Sequence, residues 1–176
     1  MIPLLTTLTG LISGLVSALL IATGHPLLGA GLLLFSGLCD VLDGRIARWL
    51  GQSSPAGALL DIVSDRTVEA AVVVALFLVD PSRALLTLLM MGSILVCVTS
   101  FLVVGIFSEN GSHKSFHYSP GLMERAEAFL FFTLMVVVPS SFVPLAILFV
   151  ALVLFTALLR TLQFLAQARR QLEIER

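Results

Sequence analysis

Six long apolar stretches alternate with short polar or Pro/Gly-bearing breaks along the chain. They run over residues 3–23, 27–48, 57–79, 83–107, 121–138 and 142–165. Each approaches the length of about 20 residues that a helix needs to cross the hydrocarbon core of a bilayer. The breaks are GHP at 24–26, RWLGQSSPAG at 48–57, DPSR at 80–83, SENGSHKSFHYSPG at 108–121 and PSSFVP at 139–144. This pattern predicts an all-α integral membrane protein, a six-transmembrane-helix bundle forming one domain over 1–176. The short final break predicts that the last two helices pair as a tight antiparallel hairpin.

Composition agrees with that pattern. Of 176 residues, 58% are hydrophobic and only 12% charged, and the mean hydropathy is +1.07. Soluble domains carry about twice that share of charge. Cys39 and Cys97 both lie in apolar stretches, where a buried thiol is expected and a disulfide is not. The N-terminal MIPLLTTLTG lacks a basic flank and reads as a retained transmembrane helix. With six spans, both termini share a side with the 48–57 and 108–121 breaks. That side collects Arg45, Arg48, Lys114, Arg125, Arg160, Arg169, Arg170 and Arg176, against Arg83 on the other. The positive-inside rule therefore places it in the cytoplasm. Trp49 is expected as an interfacial anchor, and FLFF at 129–132 as lipid-facing or packing residues. Nothing in the charge distribution indicates a nucleic-acid partner; membrane lipids are the expected surroundings.

One stretch breaks the apolar rule. CDVLDGRIARWLGQSSPAGALLDIVSD, residues 39–65, holds four aspartates and two arginines. At about 100° per residue, Asp40, Asp43, Gly44 and Ala47 share one face of the second helix. Asp61 and Asp65 share a face of the third. The short loop between these helices lets the four carboxylates converge near the cytoplasmic surface. Such a cluster requires compensating protons or cations, and all-oxygen ligation favours hard divalent ions such as Mg²⁺, Mn²⁺ or Ca²⁺. Four carboxylates suit one or two ions, which in turn attract phosphate. Gly44, Ala47 and Gly57 keep the surface bare, Arg48 offers a planar fork to a phosphate, and Ser53 and Ser54 supply hydroxyls. Pro55 is placed to start the third helix. The competing structural reading pairs the acids with arginines and uses the small residues for helix packing.

These residues also match a pattern, D-x2-D-G-x2-A-R-x8-G-x3-D-x3-D, at Asp40, Asp43, Gly44, Ala47, Arg48, Gly57, Asp61 and Asp65. The sequence thereby resembles the CDP-alcohol phosphotransferases, integral membrane enzymes of phospholipid synthesis. The resemblance implies transfer of a phosphatidyl or related group from a CDP-linked donor to an alcohol, with release of CMP. It implies Asp40, Asp43, Asp61 and Asp65 as ligands of Mg²⁺ or Mn²⁺, with Asp65 also the general base. Contacts to the CDP portion fall to Gly44, Arg48 and Ser54, within a surface that includes Ala47 and Gly57. PLLTTLTG at 3–10 is similar to a nucleotide-holding family segment, which brings in Thr6 and Thr7, although Leu4 stands where that segment usually has Asn. A homodimer is also implied, as is the cytoplasmic membrane of a prokaryote with the active site facing inward.

The acceptor end is thinner. GLMERAEAF at the fifth stretch resembles a basic-acidic segment of several phosphatidyltransferases, making Lys114 and Arg125 candidates for an acceptor phosphate. Arg125 is equally able to pair with neighbouring acids or to reach headgroups. Glu69 continues the Asp61/Asp65 stripe one turn deeper, either touching substrate or pairing with a basic residue of another helix. Arg66, Glu124 and Glu127 receive no role. His113 and His117, four apart, have no third ligand nearby and read as loop residues. The resulting expectation is a phosphatidyl transfer from CDP-diacylglycerol to a small polar alcohol such as glycerol phosphate, inositol phosphate or serine. Two rivals are a CDP-choline- or CDP-ethanolamine-type transferase with diacylglycerol as acceptor, and a carboxylate-lined cation transporter. The transporter predicts acids spread through the bilayer depth and inverted repeats; here the acids gather at one end and no repeat is visible.

Overall fold

The computed structural model describes residues 2–49, 54–109 and 125–174, and these form an all-α bundle of six helices. In order they are α1 (Ile2–Ala22), α2 (Pro26–Trp49), α3 (Pro55–Val79), α4 (Ala84–Glu109), α5 (Arg125–Val137) and α6 (Phe142–Ile174). Short 3-10 turns at Pro81–Arg83 and Pro139–Ser141 lead into α4 and α6. Each corner has a local cause. Gly24 takes φ +86° after α1, a conformation that suits glycine, and Pro26 opens α2. Ser54 caps α3, its hydroxyl accepting the Gly57 N–H at 3.1 Å, with Pro55 at the first helical position.

Three helices among the described residues contain spans long and apolar enough to cross a membrane: Leu5–Ala22, Pro81–Phe107 and Pro139–Arg170. The apolar parts of α2 and α5 are shorter, Pro26–Leu42 and Ala126–Val137. Charged residues gather on two of the helices: the last ten residues of α2 carry Asp40, Asp43, Arg45 and Arg48, and α3 carries Asp61, Asp65, Arg66 and Glu69. α6 runs well beyond the expected 165, because QARRQLEI consists mostly of good helix formers. Its 33 residues measure about 50 Å against a hydrocarbon core of about 30 Å.

α1, α2 and α3 pack into one close group, and α4 lies along α6. The last two helices are indeed joined by a short turn, and Phe131 and Phe132 of α5 meet Phe149 of α6 at ring distances of 5.9 and 5.3 Å. The main partner of α6 is nevertheless α4. Arg160 of α6 donates to the Cys97 carbonyl at 3.3 Å and Ser100 Oγ at 3.5 Å, and lies 5.3 Å from the Phe101 ring. α5 instead faces α2, where Phe129 closes on Gly37. Phe129 and Phe132 are core residues, and Trp49 is 86% exposed at the end of α2. Neither cysteine forms a disulfide.

The first group is held at backbone distance by small residues. Ser17 Oγ donates to the Gly29 carbonyl and Ser36 Oγ to the Gly10 carbonyl, both at 2.7 Å. Gly10 faces Cys39, the residue before Asp40, and Gly14 faces Val68, three residues after Asp65. This tight seam fixes α3 against α1 and α2 just where the aspartates begin.

The α3–α4 corner is a separate polar clamp. Asp80 Oδ1 accepts from the Ser82 hydroxyl at 2.7 Å and its N–H at 3.1 Å, while Oδ2 lies 3.2 Å from Arg83 Nε. The Ser82 bonds, with Arg83 beside them, hold the Asp80 carboxyl below its usual range. Arg83 also stacks 4.4 Å from the Phe142 ring, joining this corner to the start of α6.

Candidate metal and nucleotide site

α2 and α3 bring three of the four predicted aspartates together. Asp40, Asp61 and Asp65 each present a carboxylate oxygen within 4.8 Å of the others. Asp40 and Asp61 are half-buried, and Asp65 is buried. Oxygen ligands of a divalent cation stand about 2.0–2.6 Å from it, so two on opposite sides are separated by about 4–5 Å. The spacing and the purely oxygen donor set therefore fit a hard divalent cation, and the cluster is able to chelate one. Among the described residues this is the one group of three or more potential ligands so arranged.

Asp43, Gly44, Ala47 and Arg48 belong to α2, which stays helical to Trp49, so the register with Asp40 is as the periodicity requires. Their side chains lie outside the described ones. Ser53, Lys114, Glu124, His113 and His117 lie outside the described residues, and Arg125 opens α5 with its side chain likewise outside. Ser54 and Gly57 are exposed at the start of α3. The Ser54 oxygen is engaged by the Gly57 N–H, which leaves its own O–H free to donate. Because Gly10 packs on Cys39, Thr6 and Thr7, one turn nearer the N-terminus, lie at the aspartate end of the bundle. Both are half-buried. Glu127 is exposed near the start of α5.

Glu69 corrects one expectation. Among the described residues its partner is on its own helix: Oε2 lies 2.7 Å from Nη1 of Arg66. The i,i+3 spacing of Arg66 and Glu69 is the signal in the sequence that points to this pair. The acidic groups of α3 end at Glu69, and the remaining ten residues of that helix, 70–79, are apolar.

Comparison with known proteins places this arrangement. The CDP-alcohol phosphatidyltransferase pattern matches residues 1–166. The phosphatidylinositol phosphate synthase of Corynebacterium glutamicum is 32% identical over 117 residues, covering 64% of this chain and 51% of that protein. The chain thus spans about half the length of that relative. The inner membrane protein YnjF of Escherichia coli is 32% identical over 162 residues, covering 88% of this chain and 78% of its own. The crystal structure of Mycobacterium tuberculosis phosphatidylinositol phosphate synthase with CDP-DAG bound superposes with a TM-score of 0.68 and 25% identity, covering 93% of this chain and 84% of that one. With the family pattern matched over nearly its whole length and the aspartates gathered at the α2–α3 corner, this integral membrane protein belongs to the CDP-alcohol phosphatidyltransferase family.

Proposed function

We propose that the protein transfers the phosphatidyl group of CDP-diacylglycerol to a small polar alcohol and releases CMP. The observation that carries this reading is the convergence of Asp40, Asp61 and Asp65 within 4.8 Å inside the family's fold. Asp40, Asp43, Asp61 and Asp65 hold one or two Mg²⁺ or Mn²⁺ ions. When bound, such ions neutralise the diphosphate and stabilise the departing CMP.

The chain's own groups do the rest. Asp65 accepts the proton of the acceptor hydroxyl as that oxygen attacks the lipid-side phosphorus and the bond to CMP breaks. Its burial limits access of water to the same base. Gly44, Ala47 and Gly57 leave room for the nucleotide, Arg48 grips a phosphate, and Ser54 donates its hydroxyl proton. Thr6 and Thr7 close the same end. Lys114 and Arg125 orient the acceptor. All six helices cross the bilayer, with both termini and the site on the cytoplasmic side of a prokaryotic inner membrane; the distribution of arginines supports this. The acyl chains then stay in the lipid while the acceptor arrives from water. The protein works as a homodimer, a part of the proposal that rests on the family resemblance.

The test is CMP release by purified protein given CDP-diacylglycerol and Mn²⁺ or Mg²⁺, with serine, glycerol phosphate, inositol phosphate and inositol offered separately. Mass spectrometry identifies the new lipid. Metal-dependent release with one of these acceptors is expected. Release only with CDP-choline or CDP-ethanolamine and diacylglycerol would reverse the lipid role, and metal-driven ion flux in vesicles without CMP release would sink the enzyme reading.

A further inference from the structure

Two stripes run along the second half of α6. Val153, Ala157, Arg160 and Phe164 form the packed one. Val153 and Ala157 are buried, Arg160 reaches the Cys97 carbonyl and Ser100 of α4, and Phe164 meets Phe107 of α4 at 6.4 Å. Leu154, Leu158, Leu162 and Leu165 form the other, and each is between 41 and 54% exposed. One turn later the same stripe ends in Arg169, exposed like its neighbour Arg170. Neither arginine forms an ion pair among the described residues, whereas Arg83, at the corner that opens α6, is held by Asp80.

The length of the helix sets where these residues lie. From Phe142 to Leu165 α6 measures about 36 Å at about 1.5 Å per residue, slightly more than a hydrocarbon core of about 30 Å. A tilt of about 30°, within the range of membrane helices, keeps Leu165 inside the core. Arg169 then stands about 6 Å further along, at the level of the headgroups. The acids of this end, Glu173 and Glu175, come later in the chain. The two arginines are therefore the first charges reached on leaving the apolar stripe. A guanidinium fits a phosphate through two parallel N–H donors, and its aliphatic stem can lie along the acyl chains.

We propose that the C-terminal end of α6 is a docking surface for anionic phospholipid. The leucine stripe lies against acyl chains, and Arg169 and Arg170 take the headgroup phosphate of the adjoining leaflet. The apolar stripe runs unbroken into unpaired positive charge, which is the pattern an anionic lipid complements and a purely apolar partner does not. This inference is independent of the metal and transfer readings.

The test uses the full chain reconstituted in vesicles of phosphatidylcholine with a minority of phosphatidylglycerol. Bromine is carried either by the phosphatidylglycerol or by an equal number of phosphatidylcholine molecules. Trp49→Phe removes the single native tryptophan, and Leu165→Trp supplies a fluorescent reporter beside the arginines. Brominated phosphatidylglycerol should act at this reporter as though enriched about fivefold over phosphatidylcholine. High salt should bring that preference close to unity, as should the Arg169→Gln/Arg170→Gln variant. Ile147→Trp, on the same exposed side near the start of α6, should show no preference. Thermal unfolding checks that each variant folds; if the arginine variant does not, the contrast between the two reporters and the effect of salt decide. Equal quenching by both lipids at Leu165→Trp would overturn the proposal, as would a preference of the same size at Ile147→Trp. Quenching by neither lipid would mean that protein, such as a second copy of the chain, covers the stripe, and would overturn it too.

Discussion

Replacing Gly14 by alanine places a methyl carbon 2.5 Å from Cγ2 and 2.6 Å from Cγ1 of Val68, and 3.0 Å from Ser36 Oγ. Val68 is 1% exposed and β-branched, so its methyl groups have no rotamer to escape into. Ser36 is tied to the Gly10 carbonyl. Relief must come from α3 moving away from α1 by about 1 Å, and a misplacement of that size in a catalytic constellation costs about 10²-fold in rate. Overpacking costs about 1–3 kcal/mol, and the better helix propensity of alanine returns about 0.5–1, leaving a net destabilisation centred on about 1 kcal/mol and at most about 2.5. The assay pairs thermal unfolding in detergent with metal-dependent CMP release. Gly31→Ala is the control: no atom lies within 4 Å of its added methyl, so helix propensity alone should apply, about 0.5–1 kcal/mol in its favour. Val68→Ala on the Gly14→Ala background should recover much of the rate by giving the new methyl a place to sit. Full activity and unchanged stability in Gly14→Ala would refute the claim that this seam sets the aspartate geometry. So would failure of Val68→Ala to restore any activity in a folded double variant.

Asp65→Asn should abolish transfer while the protein still binds CDP-diacylglycerol, measured by equilibrium binding; full turnover would remove Asp65 as the base. Ser36→Ala should lower stability by about 1 kcal/mol, read from thermal unfolding, because the buried hydrogen bond that ties α2 to the Gly10 carbonyl is lost and only the Ser13 hydroxyl of α1 remains as its side-chain donor. The Asp80 clamp gives a pH dependence of known sign. Its carboxyl is held below the usual range when folded, so its contribution is complete above the unfolded carboxylate value and lost as pH falls through the lower folded one. Melting temperatures of wild type and Asp80→Asn should therefore converge in acid and separate towards neutrality; a constant gap would contradict the clamp.

The helices were legible because apolar runs of membrane length interrupted by Gly and Pro leave few alternatives. The ends agree within a few residues, except that α6 continues through QARRQLEI, where helix propensity outlasts hydropathy. Asp40, Asp61 and Asp65 were legible because periodicity puts each on a definable face and a short connection brings the faces together. Partner choice between helices was not. Short connection predicted α5 and α6 as neighbours, but Arg160 and its contacts on α4 could not be assigned a direction from sequence. The role of Gly14 was equally hidden, because a glycine's value there depends on Val68 arriving from another helix. Glu69 reads as part of the acidic stripe, while its partner stands three residues away on the same helix. Lys114 and Arg125 remain proposals from the sequence.

The α2–α3 aspartate cluster is the proposed metal centre of a CDP-dependent transferase. Anomalous diffraction from crystals of the protein grown with Mn²⁺ and CDP-diacylglycerol tests it most directly. A manganese peak bounded by carboxylate oxygens of Asp40, Asp61 and Asp65 is expected, with the diphosphate against it. A peak bound elsewhere, or diphosphate density with no manganese at these aspartates, would contradict it.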